Sequence, residues 1–364
     1  MRCRRCLAHD PAERKLRFDR NGQAAGSQRK SITMKRLAPL AEIAAQVGVS
    51  TATVSRALKR PDLVREETRV AIVSAARKAG YVGADEMLMG KSGKGVIGLV
   101  VPDIENPFFS VLTKSVLQEL RRSGVSLIVA DTNEESVDEG EIITTMLPRV
   151  DGVIVASSRL GDSEISELVT GKPVVLINRE LQGVSSIVID YSTGSRQAVE
   201  HLAALGHRHI AYAEGPSTSW SNTQRRKSFE AAMADLKLEA QIFGPYTPKF
   251  DGGVQAADIA VARGVTAIVA YNDLMAFGIM SRLASRGIRV PDQMSVVGFD
   301  DVPEASIWSP ALSTVTVSIG ASGRLAALAL LRAIAGKDRD AGSRRIMSQL
   351  VVRGSTAGIG AADK

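Results

Sequence analysis

The stretch VSTATVSRAL (residues 49–58) sets Thr51, Ala52, Ser55 and Arg56 on the outward face of a short helix whose Val54, Ala57 and Leu58 turn inward. A helix entering a major groove presents its first-turn residues to base edges. Arg56 is the residue suited to a bidentate guanine contact, which discriminates by about 1–3 kcal/mol, whereas Thr51 and Ala52 offer one hydrogen bond or a methyl contact. Ser50, Thr53 and Thr68 are small hydroxyl residues near helix starts, placed to hold phosphates in register. The bland alternative is an ordinary three-helix bundle with solvated polar positions. Other chemistry is poorly served. The four histidines (His9, His201, His207, His209) come without the convergent carboxylates of a metal site, and Cys3 and Cys6 alone make neither a disulfide framework nor a complete zinc site. No metal and no cofactor are expected. Asp300 and Asp301 are adjacent carboxylates, but no nucleophile or matched base accompanies them. The glycines from Gly90 to Gly95 lack the strand-to-helix context of a nucleotide loop.

These residues need elements to hold them. Leu40, Ile43, Ala44 and Val47 recur at helix-face spacing, and Gly48 closes that helix where a left-handed residue is cheap. Ser50 is the N-cap of the second helix, and Pro61 stops it. A third helix is predicted from about Arg65 to Ala79, with Thr68, Ile72, Ala75, Ala76 and Ala79 inward. Two short helices across a glycine turn, then a third, make a helix-turn-helix head over residues 34–81. Residues 1–33 are polar and aperiodic, which predicts a disordered extension, with Met34 as the expected natural start. Residues 82–95 (VGADEMLMGKSGKG) predict a hinge linker. From residue 96 onward, short apolar runs alternate with helical patterns: VIGLVV (96–101), VSLIVA (125–130), GVIVAS (152–157), VVLIN (174–178), SSIVID (185–190), HIAYAE (209–214), AIVAY (267–271) and MSVVGF (294–299). Continuous apolar strands separated by amphipathic helices predict parallel sheets covered on both faces, a doubly wound α/β arrangement. So many strands divide naturally into two subdomains with a cleft between them.

The 364 residues are 45% apolar and carry a net charge of +7, enough chain for two or three domains and no mark of a disordered protein. The basic excess lies before residue 96, where an electrostatic footprint for phosphate belongs, while the remainder is acidic on balance. A membrane surface attracts such charge too. No run approaches the roughly twenty apolar residues of a membrane helix, and no secretory signal is visible, so the expected location is cytoplasmic.

Residues 38–69 (APLAEIAAQVGVSTATVSRALKRPDLVREETR), with Val64 to Arg69 spaced as V-x-x-x-T-R and AGYV at 79–82, resemble the DNA-binding head of the lac repressor (LacI/GalR) family. IGLVVPDIENPFF (97–109), VDGVIV (150–155), HLAALGHRHIAY (201–212), AYNDLMAFG (270–278) and VPDQMSVVGFDD (290–301) extend the resemblance over nearly everything after Met34. It implies an all-α helix-turn-helix head joined to a periplasmic-binding-protein-like sensor of two doubly wound parallel-sheet subdomains. The sensor is expected over 96–360, with subdomain N about 96–190 and 320–345 and subdomain C about 191–319 and 346–360. The implied function is a homodimeric repressor of double-stranded operator DNA, controlled by a small sugar-like effector. Polyols are held by planar polar groups against aromatic faces at the C-terminal ends of strands. The resemblance therefore points to Asn106, Phe108, Phe109, Arg179, Trp220, Arg225, Phe250, Asn272 and Asp300, with Asp273 and Asp301 capping the elements that follow. In the hinge, relatives carry a Leu that wedges into the minor groove. Leu88 is the nearest counterpart, in a stretch that lacks the family's Pro-Asn pair and carries Asp85 and Glu86. Packing against a dimer mate is the alternative role for Leu88. No leucine heptad follows the sensor, which favours a dimer over a tetramer. Two rival readings remain: a transport-type sugar-binding protein on the same cleft, and an enzyme using Asp300 and Asp301.

Overall fold

Val54, Ala57, Ile72, Ala75 and Ala76 recur at three- and four-residue spacing, and in the computed structural model they meet Ile43 and Ala44 in one small core. The structure describes residues 40–59, 63–78, 95–168, 171–336 and 342–359, in two compact units divided between residues 91 and 92. The expected extension (1–33) and nearly all of the linker, Leu88 included, lie outside the described residues. The first unit holds α1 (Leu40–Val47), α2 (Thr51–Lys59) and α3 (Glu66–Lys78). Gly48 stands at φ +71° after α1, where a side chain would be strained. Ser50 Oγ accepts the Thr53 N–H at 3.1 Å, satisfying one of the open donors that start α2.

The central strands of the second unit have side chains buried on both faces. β1 (Val96–Val101), β2 (Ser126–Asp131), β3 (Gly152–Ala156), β4 (Val174–Ile177) and β5 (Ser185–Asp190) form a parallel sheet in the order β2-β1-β3-β4-β5. β6 (Ile210–Ala213), β7 (Gln241–Phe243), β8 (Ala267–Ala270), β9 (Ser295–Asp300) and β10 (Ser313–Val317) form a second one, in the order β10-β9-β8-β6-β7. β11 (Ser343–Val351) joins the two, pairing parallel with β5 through Met347 and antiparallel with β10 from Ser348 onward. The helices are α4 (Pro107–Ser123), α5 (Ser136–Met146), α6 (Asp162–Leu168), α7 (Ser192–Ala204), α8 (Trp220–Asp235), α9 (Phe250–Ala262), α10 (Asp273–Ser285), α11 (Glu304–Ile307) and α12 (Ile319–Ile334).

Three strands have no counterpart in the sequence reading, and each has a reason. β7 is only three residues long. β10 is polar in composition yet buried, because its groups are bonded: Thr314 Oγ1 donates to Asp273 Oδ1 at 2.6 Å, and the Ser313 N–H donates to Ser355 Oγ at 2.8 Å. β11 (SRRIMSQLV) keeps much of its length in water, so its pattern is not apolar. The antiparallel step between β10 and β11 departs from the all-parallel expectation.

Helices α9 and α10 cross at backbone contact. A Cβ on Gly278 would overlap the Phe250 carbonyl, and one on Gly253 would overlap that of Met275. Only glycine lets these helices lie close enough to bring their N-terminal ends, Pro248 and Asn272, side by side, where Asn272 Nδ2 donates to Pro248 O at 2.8 Å. Gly278→Ala is expected to cost the second unit about 1–3 kcal/mol in urea unfolding, as overpacking does. A variant as stable as the parent would show that the helices can part freely.

Candidate functional site

On the first unit, α2 presents its outward residues as expected from the spacing: Ser50, Thr51, Ala52 and Arg56 are exposed, Thr53 and Ser55 half-exposed, and Val54 and Ala57 buried. Thr68 is half-buried near the start of α3. Ser50 is a helix cap whose hydroxyl also lies 2.8 Å from that of Thr53, so these two residues rigidify the first turn that carries Thr51 and Ala52.

In the second unit the C-terminal ends of strands from both sheets converge on one cleft. Asn106, Phe108 and Phe109 follow β1, Glu134 follows β2, Ser157 and Arg159 follow β3, and Asn178 follows β4. Facing them are Ser221 and Arg225 from α8, Pro248, Tyr271, Asn272 and Asp300. The space they enclose amounts to about 20 Å³, little more than one water molecule takes. Glu134, Ser157, Asn178 and Asp300 have φ of +66°, +50°, +54° and +108°, so strained backbone is concentrated where the strands deliver side chains.

Arg225 is the centre of one wall. Its side chain is 4% exposed, its Nη2 lies 2.7 Å from Asp300 Oδ1, and its Nη1 donates to the Tyr271 carbonyl. The guanidinium carbon stands 4.1 Å from the Phe299 ring centroid, 4.7 Å from that of Tyr191 and 4.9 Å from that of Tyr271. Burial alone would weaken the Arg225 charge, but Asp300, with Tyr191 and Tyr271 behind it, more than reverses this and raises its pKa. Burial pushes the Asp300 carboxyl above the usual carboxylate range, and Arg225 pulls it back. Asp273, beneath it, is pushed well above that range by burial and then by the Asp300 charge; it accepts the Val302 N–H at 2.9 Å and the Thr314 hydroxyl.

Arg159 is the matching cation of the opposite wall. Its Nη2 lies 2.6 Å from Glu134 Oε2, its Nη1 donates to the Ser157 carbonyl at 2.9 Å, and its backbone N–H donates to Glu139 Oε2 at 2.7 Å. Asn106 and Asn272 spend their Oδ1 atoms as helix N-caps, accepting the Phe108 and Met275 N–H groups at 3.0 and 2.9 Å. Asn178 Oδ1 and Arg225 Nε are buried without a hydrogen bond among the described residues.

Of the positions singled out from the sequence, Asn106, Phe108, Phe109, Arg225, Asn272 and Asp300 are brought together. Arg179, Trp220 and Phe250 are not among the residues lining the cleft. The left-handed turn at Asn178 sends the chain aside, and Arg179 pairs with Asp162 at the start of α6, 2.7 Å away. Trp220 and Phe250 are the first residues of α8 and α9; Trp220 packs partly against the core and Phe250 is 39% exposed, while Ser221 and Pro248 beside them reach the cleft. Asp301 pairs with Arg353 at 2.6 Å. Arg159 escaped notice although Ser157-Ser158-Arg159 ends a strand just as Asn178-Arg179 does. Glu134 gave no signal, because the acidic run around it reads as a solvated helix start.

Residues 39–83 match the profile of bacterial regulatory proteins, lacI family, and residues 199–356 that of a periplasmic binding protein-like domain. The HTH-type transcriptional regulator MalR of Streptomyces coelicolor is 32% identical over 87% of this chain and 96% of its own length. The HTH-type transcriptional repressor CytR of Escherichia coli is 30% identical over 92% and 99%. This chain belongs to the LacI family. As a LacI-family protein it is a helix-turn-helix transcriptional regulator and not an enzyme. Among solved structures, the lac repressor dimer bound to operator and the anti-inducer ONPF superposes with a TM-score of 0.72 at 26% identity, covering 88% of this regulator and 99% of that chain. A LacI-family regulator from Enterococcus faecium with bound ribose gives 0.66 at 26% identity, covering 72% and 99%. Among the described residues, no helix is long and apolar enough to cross a membrane.

Removing one member of a buried ion pair strands the other charge, at a cost of about 3–5 kcal/mol, whereas removing both is far milder. Asp300→Asn should therefore lower the unfolding free energy of this regulator by several kcal/mol, and adding Arg225→Met should restore most of the loss. A double variant no more stable than the single one would mean the two side chains are not coupled.

Proposed function

We propose that this regulator is a cytoplasmic homodimeric repressor that grips a pseudo-palindromic operator with paired α2 helices, under control of a small sugar-like molecule bound in the cleft of the second unit. The observation that carries the reading is the cleft itself, two ion-paired guanidiniums facing each other among asparagines, two serines and aromatic rings. Hydroxyl groups are matched by such planar donors and acceptors, and the space between the two walls, about 20 Å³, must widen to admit a sugar ring. Relatives solved with ribose, with cellobiose and with operator DNA support the same reading.

Twofold protein symmetry is matched by symmetric half-sites. A dimer gains support from apolar side chains left at the surface of the edge strand β2, Ile128 at 41% and Val129 at 39% exposure, and from Ile307 at 80%. The division into a head at 34–81, a linker at 82–95 and a sensor at 96–360 belongs to this proposal, as does a DNA contact from Leu88. Ligand binding would shift the arrangement of the two sheets, and the sign of the response follows from which arrangement the ligand prefers.

Two measurements test the reading. In a thermal-shift screen of pentoses, hexoses and nucleosides, the effector should stabilise the native state by about 2.7 kcal/mol at one hundred times its Kd; no ligand in any of these classes would count against a sugar sensor. Arg56→Ala should weaken binding to a selected operator duplex by about 1–3 kcal/mol while leaving random-duplex binding nearly unchanged in fluorescence anisotropy. Equal losses on both duplexes would reject base reading by Arg56.

A further inference from the structure

We propose that the cleft selects an electrically neutral ligand and turns away phosphorylated or carboxylated ones, with Glu134 as the residue that sets this preference. The inference rests on reading the cleft as the effector site.

A guanidinium is ordinarily the first choice for binding a phosphate or carboxylate. Here both are already engaged. Arg225 is held by Asp300 at 2.7 Å, and Arg159 is held by Glu134 at 2.6 Å with only 2% of its side chain exposed. The charged residues lining the cleft are these two cations and two anions, so the lining carries no net charge. Beyond the lining, Lys249 is paired with Asp103 at 3.3 Å and Arg179 with Asp162 at 2.7 Å. An anionic ligand would have to displace a carboxylate or sit beside it in a site where water screens poorly. A hydroxyl meets no such obstacle, since it both donates and accepts, and the buried, unpartnered polar atoms of the described lining are of both kinds, the donor Arg225 Nε and the acceptor Asn178 Oδ1.

Glu134 is placed by the fold and not by chance. Its backbone stands at φ +66°, with its N–H donating to the Pro102 carbonyl at 2.8 Å. The loop after β2 therefore spends backbone strain to deliver a carboxylate to Arg159. Glu139 accepts the backbone N–H of Arg159 and adds a second negative charge nearby, while Glu134 is the carboxylate hydrogen-bonded to the guanidinium itself.

The test uses the full-length chain, with melting temperature and calorimetry read for ribose against ribose 5-phosphate, glucose against glucose 6-phosphate, and inorganic phosphate against chloride at matched ionic strength. The parent protein should gain nothing from phosphate or either sugar phosphate beyond the ionic-strength control. Glu134→Gln, which keeps the shape and frees Arg159, should bind the phosphorylated probes about tenfold or more tightly than the parent. The double variant Glu134→Gln, Arg159→Gln should lose that gain, and it also subtracts anion binding by the basic head. A parent protein that prefers a phosphorylated sugar, or a folded Glu134→Gln variant that gains no anion affinity, would overturn the proposal; if that variant does not fold, the parent measurements decide alone. Refusal of neutral and phosphorylated sugars alike would remove the sugar reading while leaving the exclusion of anions intact.

Discussion

A guanidinium with almost no contact with water persists only where a carboxylate meets it, and in this regulator the pairing of Arg225 with Asp300 ties α8 to the end of β9 in the middle of the cleft. Much else in the second unit answers to that pair. Three aromatic rings enclose the cation, the Tyr271 carbonyl takes a further N–H, and Asp273 is buried beneath as a hydrogen-bonded strut between α10, Val302 and β10. A buried ion pair contributes little net stability against an apolar replacement. Its value here is directional, since it fixes where a donor and a carboxylate stand before a ligand arrives.

The two sheets are joined by three chain crossings. The chain passes between them after β5, after β10 and within β11. Ser348 Oγ donates to the Asp190 carbonyl at 2.6 Å and accepts the Gly194 N–H at 3.3 Å, binding two of these crossings together. A Cβ at Gly194 would overlap Val315 and Ser348, so the crossing has no slack. A ligand touching both walls can bias such a joint only by its different affinity for the alternative arrangements, and whatever it does to DNA affinity, DNA does to ligand affinity.

Within its described residues the helices of the head were legible, because α1, α2 and α3 are short amphipathic helices whose apolar spacing, caps and glycine turn are all local signals. The eight apolar strands were legible for the same reason. β10 and β11 were not, since Ser313 and Thr314 are buried through hydrogen bonds made to distant residues and β11 faces water along much of its length. The cleft was half legible. Asn106, Asn272 and Asp300 stand at strand ends, where type and place agree; Arg179 also stands at one, but the positive φ of Asn178 turns it toward Asp162 and leaves the role to Arg159. Which of two adjacent helix-start residues faces the cleft, Trp220 or Ser221, depends on helix orientation that no local pattern states.

The central claim is that α2 reads duplex sequence as one half of a symmetric pair. Selection from a pool of random duplexes by the full-length protein tests it most directly. The account predicts enrichment of an inverted repeat whose half-sites are related by twofold symmetry. Recovered sequences with no base preference at any position, in the presence or absence of neutral sugars, would contradict it.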